Sequence, residues 1–410
     1  MRWLLATTVV ALAFGHTFAA DWPQFLGSNR DSSSPEKVAA WKGKPKELWS
    51  QPVGEAHSSP VVAKGVVYAF YKPAKKDADA LAAFDAKTGE LLWEKSYDRE
   101  KFQPLFGEGP RGTPTVDGDR VYTLGNTGVL ACWDTSKKGE VVWKVDTLND
   151  FKAKNLRFGV STSPTVVGQH VVIMVGGKGA GIVGFDKETG KVAWRSGDDT
   201  PSYASPIAVG TGDKTELVFL TNSHVCGLNA ADGKELWKFP FTDALLESST
   251  TPVKVGDLIV AGSVMSGSVG LKVADKDGKP MPEKVWKNDK LTCYFSTPVA
   301  VGKHLYMVNG KASLTNAAIV LRCVEAETGK IVWEKANVGK YHAALVKTGD
   351  GKLLFLDDGG NLMLLEPNDK EYKELARAKV CGETWAHPAL SDGRLYLRDD
   401  KKLICLQLGE

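Results

Sequence analysis

Short runs of alternating apolar and polar residues, separated by turns rich in Gly and Asp, fill the chain from about residue 47 to 408. A period of two is the signature of β-strands with one buried face, and the runs recur in a fixed order. Pro60 (HSSPVV), Pro114 (RGTPTV), Pro164 (STSPTV), Pro206 (YASPIA), Pro252 (STTPVK), Pro298 (FSTPVA) and Pro388 (WAHPAL) each open one. Proline at the first position of a strand forfeits no ladder bond. A turn pair such as Lys64-Gly65, Gly118-Asp119 or Gly256-Asp257 follows, then a second apolar run such as VVYAF or LIVAG, as in a hairpin. The third run ends at a recurring motif: FDAKTGELLW (84–93), GFDKETGKVAW (184–194), GLNAADGKELW (227–237) and CVEAETGKIVW (323–333). Its Asp is suited to accept backbone N–H bonds in the turn, its Gly to the positive φ of a bulged loop, and its Trp to an outer strand facing a neighbour.

Trp49, Trp93, Trp143, Trp194, Trp237, Trp286 and Trp333 are 44, 50, 51, 43, 49 and 47 residues apart. This spacing accommodates four short strands and their turns, one blade of a propeller. The two ends complement each other. Residues 47–53 (ELWSQPV) match a fourth strand without its first three, and 380–408 match three strands without a fourth. Pairing them closes the ring and protects its edges. Seven fourth strands, the last a degenerate one at Leu375-Ala376, plus the shared blade predict an all-β, eight-bladed propeller of four-stranded antiparallel blades.

The AFDAKTGELLW-type motif, in phase with Ser/Thr-Pro strand starts, resembles the quinoprotein alcohol dehydrogenase-like family of pyrroloquinoline quinone (PQQ) repeats, which also contains BamB-like outer-membrane assembly proteins. The resemblance covers about residues 47–408, and DWPQFLGSNRD (21–31) is similar to a segment that precedes the propeller in exported relatives. It is specific for fold and poorly specific for function, because one fold hosts many activities.

The chain divides into an expected signal peptide (1–20), a lead segment (21–46) and the propeller (47–410). Arg2, an apolar run from Trp3 to Phe14 and small residues at 19–20 are the parts of a secretory signal. No later run approaches the ~20 apolar residues of a membrane helix, so the mature protein is expected in the periplasm or outside the cell, as a monomer. Charged residues make up 25% of the 410 and the net charge is +3, with both signs interspersed; this gives no surface for nucleic acid. Of six cysteines, Cys132, Cys226, Cys323 and Cys405 occupy what reads as one repeat position before the turn, where a small buried hydrophobe suits. Cys293 and Cys381 suggest no pairing.

Propeller channels are lined by the innermost strands, so candidate chemistry lies where the repeat varies, ahead of each proline. Those residues are His57, Arg111, Arg157, Tyr203, Glu247, Tyr294 with Phe295, Tyr341 with His342, and Trp385 with His387. One reading makes them an ordinary polar channel mouth, with Ser59, Thr113, Ser163, Ser205, Thr251 and Thr297 capping their own strands. The other makes them a funnel for a small polar ligand, a quinone or a peptide. Two imidazoles, His342 and His387, lack an evident third ligand for a transition metal.

The resemblance implies two classes of function. Family enzymes hold PQQ over the channel with Ca²⁺, a stacking Trp, a disulfide of adjacent cysteines and an Asp base. This chain has no adjacent cysteines and no C-x-x-C-H, and Glu247 is the single carboxylate placed at the mouth, where Ca²⁺ takes several oxygens. It also lacks H-E-x-x-H and a nucleophile elbow, and GGKGAG (176–181) falls between two strands, not before a helix. The sequence therefore favours a non-catalytic scaffold for an envelope protein, a peptide or a small ligand, with no cofactor. The alternative is a PQQ- and Ca²⁺-dependent alcohol dehydrogenase.

Overall fold

The computed structural model describes residues 20–310 and 317–408; the expected signal peptide lies outside them apart from Ala20. Among these residues eight four-stranded antiparallel sheets form the ring of a propeller. Blade 1 comprises Val61–Ala63, Val66–Tyr71, Ala78–Asp85 and Leu91–Asp98, from the axis outward. The innermost strands of blades 2 to 7 begin at Thr115, Thr165, Ile207, Val253, Val299 and Ala343. In blade 8, Ala389–Ser391, Arg394–Arg398 and Lys402–Gln407 receive Glu47–Pro52 as the outer strand, with Trp49 opposite Cys405. The two ends of the propeller thus share one sheet, as their complementarity predicted, and every expected proline directly precedes an innermost strand.

The repeated motif acts between blades. Asp85 Oδ1 accepts from the N–H groups of Lys87 and Thr88 at 3.0 and 2.7 Å, and these bonds hold its carboxyl below the usual range. The turn places Gly89, at φ +75°, flat against the ring of Trp49 in the preceding blade: a Cβ there would stand 2.6 Å from the ring. The same contact joins Gly139 to Trp93, Gly190 to Trp143, Gly233 to Trp194 and Gly329 to Trp286. The indole N–H groups of Trp49, Trp143 and Trp286 donate to carbonyls of the same turns, at Ala86, Lys187 and Ala326, over 3.1, 3.0 and 2.8 Å. Trp49, Trp143 and Trp286 are therefore fixed by packing and by a hydrogen bond of about 1 kcal/mol.

Within a blade, the residue opposite the Trp is small: Ala83, Cys132, Gly184, Gly227, Gly270, Cys323 and Cys405. Cys226 does not share that place, as the sequence suggested. It stands one position earlier, opposite Lys238, so the alternation of a strand sends it to the other face. In blade 7 the sizes are exchanged, Leu364 facing Ala376, which fills the volume that the missing Trp leaves. All six cysteines are buried and free, and burial pushes the Cys132 thiol up to about 12.

Blade 5 departs from the pattern. Its outer hairpin, Gly267–Lys276 and Lys279–Asn288, has ten residues in each strand, so no tight turn meets Trp237. Val273 of the extension packs against the apolar cluster that contains Trp237, and the indole donates to Glu216 Oε1 at 2.5 Å.

A second circumferential contact lies at the axis. His387 N donates to Ser59 Oγ (2.8 Å), Ser59 N to Thr113 Oγ1 (3.1 Å), Thr113 N to Ser163 Oγ (3.0 Å), Ser163 N to Ser205 Oγ (2.9 Å) and Thr251 N to Thr297 Oγ1 (3.2 Å). The hydroxyls ahead of the prolines thus do not merely cap their own strands. They accept from the adjacent blade and tie the inner rim together.

Replacing Gly89 by Ala is expected to destabilise the fold by about 2–3 kcal/mol, through strain at positive φ plus the clash with Trp49. Gly65, at φ +76° with open space around it, should lose only about 1 kcal/mol as Ala. Urea unfolding of the two variants separates these contributions, and equal losses would argue against the Trp49 contact.

Candidate functional site

Both ends of the axial channel are closed by the chain itself. At one end lies the lead segment. Trp22 exchanges backbone bonds with Val62 of blade 1 (2.8 and 2.9 Å), Pro23 O accepts from Val116 of blade 2 (2.8 Å), and Ser34 N donates to Lys347 O of blade 7 (2.9 Å). Arg30 is buried and donates to Pro164 O at 2.5 Å and Pro206 O at 3.4 Å, in blades 3 and 4; burial lowers its guanidinium to about 9. Phe25 rises from this segment to meet the His387 ring edge-on, 5.9 Å between centroids.

The other end is covered by residues 99–110, which connect blades 1 and 2. Arg99, in a fully buried pair with Asp79 (3.0 Å), donates to Glu108 O at 2.8 Å, and Asn126 Nδ2 donates to the same carbonyl at 2.7 Å. Phe106, at φ +66°, leans over the axis. It stands 5.2 Å from Trp385, 5.8 Å from Phe158 and 6.3 Å from Tyr341. Trp385 lies 5.0 Å from Phe295 and 5.2 Å from His57, so the lid is one continuous aromatic cluster.

Between lead segment and lid lies a cavity of about 140 Å³. Of the residues that the sequence placed at the channel mouth, His57, Arg111, Tyr203, His342, Trp385 and His387 line it. Arg157, Glu247 and Tyr294 do not. Arg157 Nη1 meets Glu247 Oε1 at 3.2 Å, and the Tyr294 hydroxyl donates to Glu247 Oε2; burial and that bond raise the Tyr294 phenol. Arg111 is turned onto the lid, where it donates to the carbonyls of Gly109, Leu105, Phe106 and Gly107 at 3.2–3.3 Å. Burial lowers it to about 10. The reading of the sequence passed over Phe25 and Phe106. The signal for Phe106 was the length of the connection REKFQPLFGEGP (99–110), longer than a blade-to-blade link requires.

Burial keeps the cavity's imidazoles neutral. His57 falls to about 3, helped by the nearby charges of Arg111 and Arg398, His342 to about 4 and His387 to about 3. Among the described residues no three His, Cys, Asp or Glu side chains converge as metal ligands. Nor does the mouth fit a Ca²⁺-held quinone. A hard cation needs several oxygen donors, whereas the Glu247 carboxylate meets a guanidinium and a hydroxyl that donates to it. An acidic bay of about 320 Å³ adjoins the lid, with Glu55, Asp358, Glu383 and Asp400 in its wall. Asp358 is already engaged by the N–H groups of Lys340 and Tyr341, at 2.9 and 2.6 Å.

Fold and axis together define a closed eight-bladed propeller of PQQ-like repeats. The sequence profile described as outer membrane protein assembly factor BamB matches residues 31–106, 76–320 and 316–407, and the chain belongs to that family. It is 25% identical over 359 residues to BamB of Burkholderia pseudomallei, covering 85% of this chain and 83% of that one. A quinohemoprotein alcohol dehydrogenase of Pseudomonas putida is 33% identical over 147 residues, 34% of this chain and 19% of the enzyme; the matched segment spans about a fifth of the enzyme's length. Among solved structures, BamB from Moraxella catarrhalis shares the fold with a TM-score of 0.62 at 15% identity, covering 89% of this chain and all of that one. A quinohemoprotein alcohol dehydrogenase from Comamonas testosteroni does so at 0.64 and 14%, covering 95% and 81%.

The neutral histidines make stability depend on pH. The unfolded chain protonates them near 6.5 while the folded state resists to about 4 at His342 and 3 at His387. Their contribution is thus complete above 6.5 and declines as pH falls through that window. Between pH 7 and 5 each should withdraw about 2 kcal/mol. Urea unfolding at the two pH values measures the loss, and His342→Gln, which does not titrate, should reduce it.

Proposed function

We propose that this protein is a non-catalytic binding scaffold, exported by its N-terminal segment, that holds a protein or peptide partner of the bacterial envelope on its outer surface. The observation that carries this reading is the closure of the channel: the space over which a propeller enzyme would seat a cofactor is covered by the chain's own lid, with Arg111 and Glu247 both engaged internally. Similarity to an assembly factor along most of the chain supports it. So does the rim. Leu91, Leu92, Val141, Val142, Val285 and Val332 on outer strands are exposed, beside strand edges free to accept an added strand. Among the described residues no helix is long and apolar enough to cross a membrane.

A PQQ-dependent alcohol dehydrogenase is the second reading, favoured by the 33% identity over 147 residues. The two separate in one experiment on purified protein. With PQQ and Ca²⁺ added, the scaffold should show neither a shift in Tm nor dye-linked alcohol oxidation, while affinity capture from a bacterial envelope extract recovers the same partner in replicate. Oxidation of alcohol that depends on both additions would overturn the scaffold reading.

A further inference from the structure

Away from the axis, a groove of about 500 Å³ crosses blades 3 and 4. One wall is the link from blade 2 to blade 3, with Lys152, Lys154 and Arg157; the other is the link from blade 4 to blade 5, with Leu245 and Leu246. Residues 99–110 are a link of the same kind, so the groove opens on the end of the ring that carries the lid. Arg157 Nη1 reaches across to Glu247 Oε1 at 3.2 Å and pins the two walls together. Leu156 and Pro201 add apolar surface to the lining.

The apolar wall is built to stay exposed. Leu245, Leu246 and the adjoining Met265 are 43%, 49% and 52% exposed. Scattered singly, such residues are ordinary on a surface; here one carboxylate holds them together. Asp243, itself fully buried, accepts from Leu245 N through Oδ1 at 2.8 Å and from Met265 N through Oδ2 at 2.9 Å. Leu246 N donates to Asp243 O at 3.0 Å, and Leu246 stands at φ +56°, a region that leucine enters at a cost. A buried carboxylate and a strained backbone thus fix apolar side chains in solvent, and packing within the chain does not account for them.

The facing wall is positive. Among the described residues Lys152 and Lys154 form no ion pair, and Glu247, the one carboxylate of the lining, is taken by Arg157 and by the Tyr294 hydroxyl. An occupant therefore needs negative charge toward one wall and apolar surface toward the other. An extended chain offers both by geometry, because its successive side chains point to opposite sides. We infer that this groove binds an extended segment of a partner protein in which acidic and apolar side chains alternate. The acids meet Lys152 and Lys154, and the apolar groups meet Leu245 and Leu246. Resting on the scaffold reading, the groove gives the partner a docking place and a charge.

Fluorescence anisotropy of the full protein with three labelled synthetic peptides tests this: one alternating Glu and Leu, one with Lys in place of Glu, and one with Ser in place of Leu. The first should saturate, and added salt should weaken it; the other two should bind at least about tenfold more weakly. Lys152→Glu with Lys154→Glu should transfer the preference to the peptide of Lys and Leu. Leu245→Ser with Leu246→Ser should lower affinity about tenfold. All four side chains are exposed, so both variants should keep the Tm of the unaltered protein. The inference is overturned if the peptide of Glu and Leu does not saturate, if its Lys counterpart binds as well, or if the charge reversal leaves the preference in place. It is overturned too if the charge reversal releases the protein from phosphatidylglycerol vesicles and leaves peptide binding unchanged, which would assign the groove to a membrane surface. Peptide failure beside a successful envelope capture removes the groove and leaves the scaffold; peptide binding without capture does the reverse.

Discussion

The contact on which this structure depends is a tryptophan ring laid on a glycine of the next blade. A single four-stranded blade has two apolar faces and cannot bury either alone, so the stack must continue until it meets its own beginning. Trp49 shows how it ends: it stands on the outer strand of blade 8, yet its sequence neighbours are the first of the propeller, and its ring covers Gly89 of blade 1. The strand that completes the last sheet also supplies the clamp onto the first. Closure is thereby hydrogen-bonded within one blade and packed against the next in the same six residues, Glu47–Pro52.

Exceptions to the repeat obey the same constraint of volume. Where blade 5 carries a long hairpin in place of the tight turn, Val273 joins the apolar cluster around Trp237, and the indole finds Glu216 within its own blade. Where Ala376 replaces Trp, Leu364 occupies the facing position that is Ala, Cys or Gly elsewhere. The requirement is a filled interface at native density, not a particular residue. This is why the motif at Ala376 could decay without loss of the blade.

These regularities made the fold readable from the chain. Trp spacing counts blades, proline marks the innermost strands, and the incomplete ends announce closure; all are local patterns repeated many times. The site was readable only in part, because its geometry is set by segments that occur once. That Arg111 would turn to the lid carbonyls depends on how residues 99–110 fold, and this in turn depends on the buried Asp79–Arg99 pair. The engagement of Glu247 by Arg157 joins residues 90 positions apart in sequence. Cys226 differs for another reason: in a period-two element, a shift of one residue exchanges the faces, and turns of unequal length shift the register by that much.

An eight-bladed ring leaves a hole on its axis that the short inner strands cannot fill with their own side chains. Something must occupy it, and the occupant decides what the molecule does. Here the lead segment fills one end with Trp22, Phe25 and Arg30, and the aromatic lid fills the other. The polar groups that converge on the axis are thereby turned inward, Arg111 to its loop and the hydroxyls to the ring between blades. What remains is a small interior in which burial drives the three imidazoles to their neutral form beside the Arg111 guanidinium. Exposed apolar side chains, Leu91 and Val285 among them, lie instead at the rim, on the outer strands of the blades.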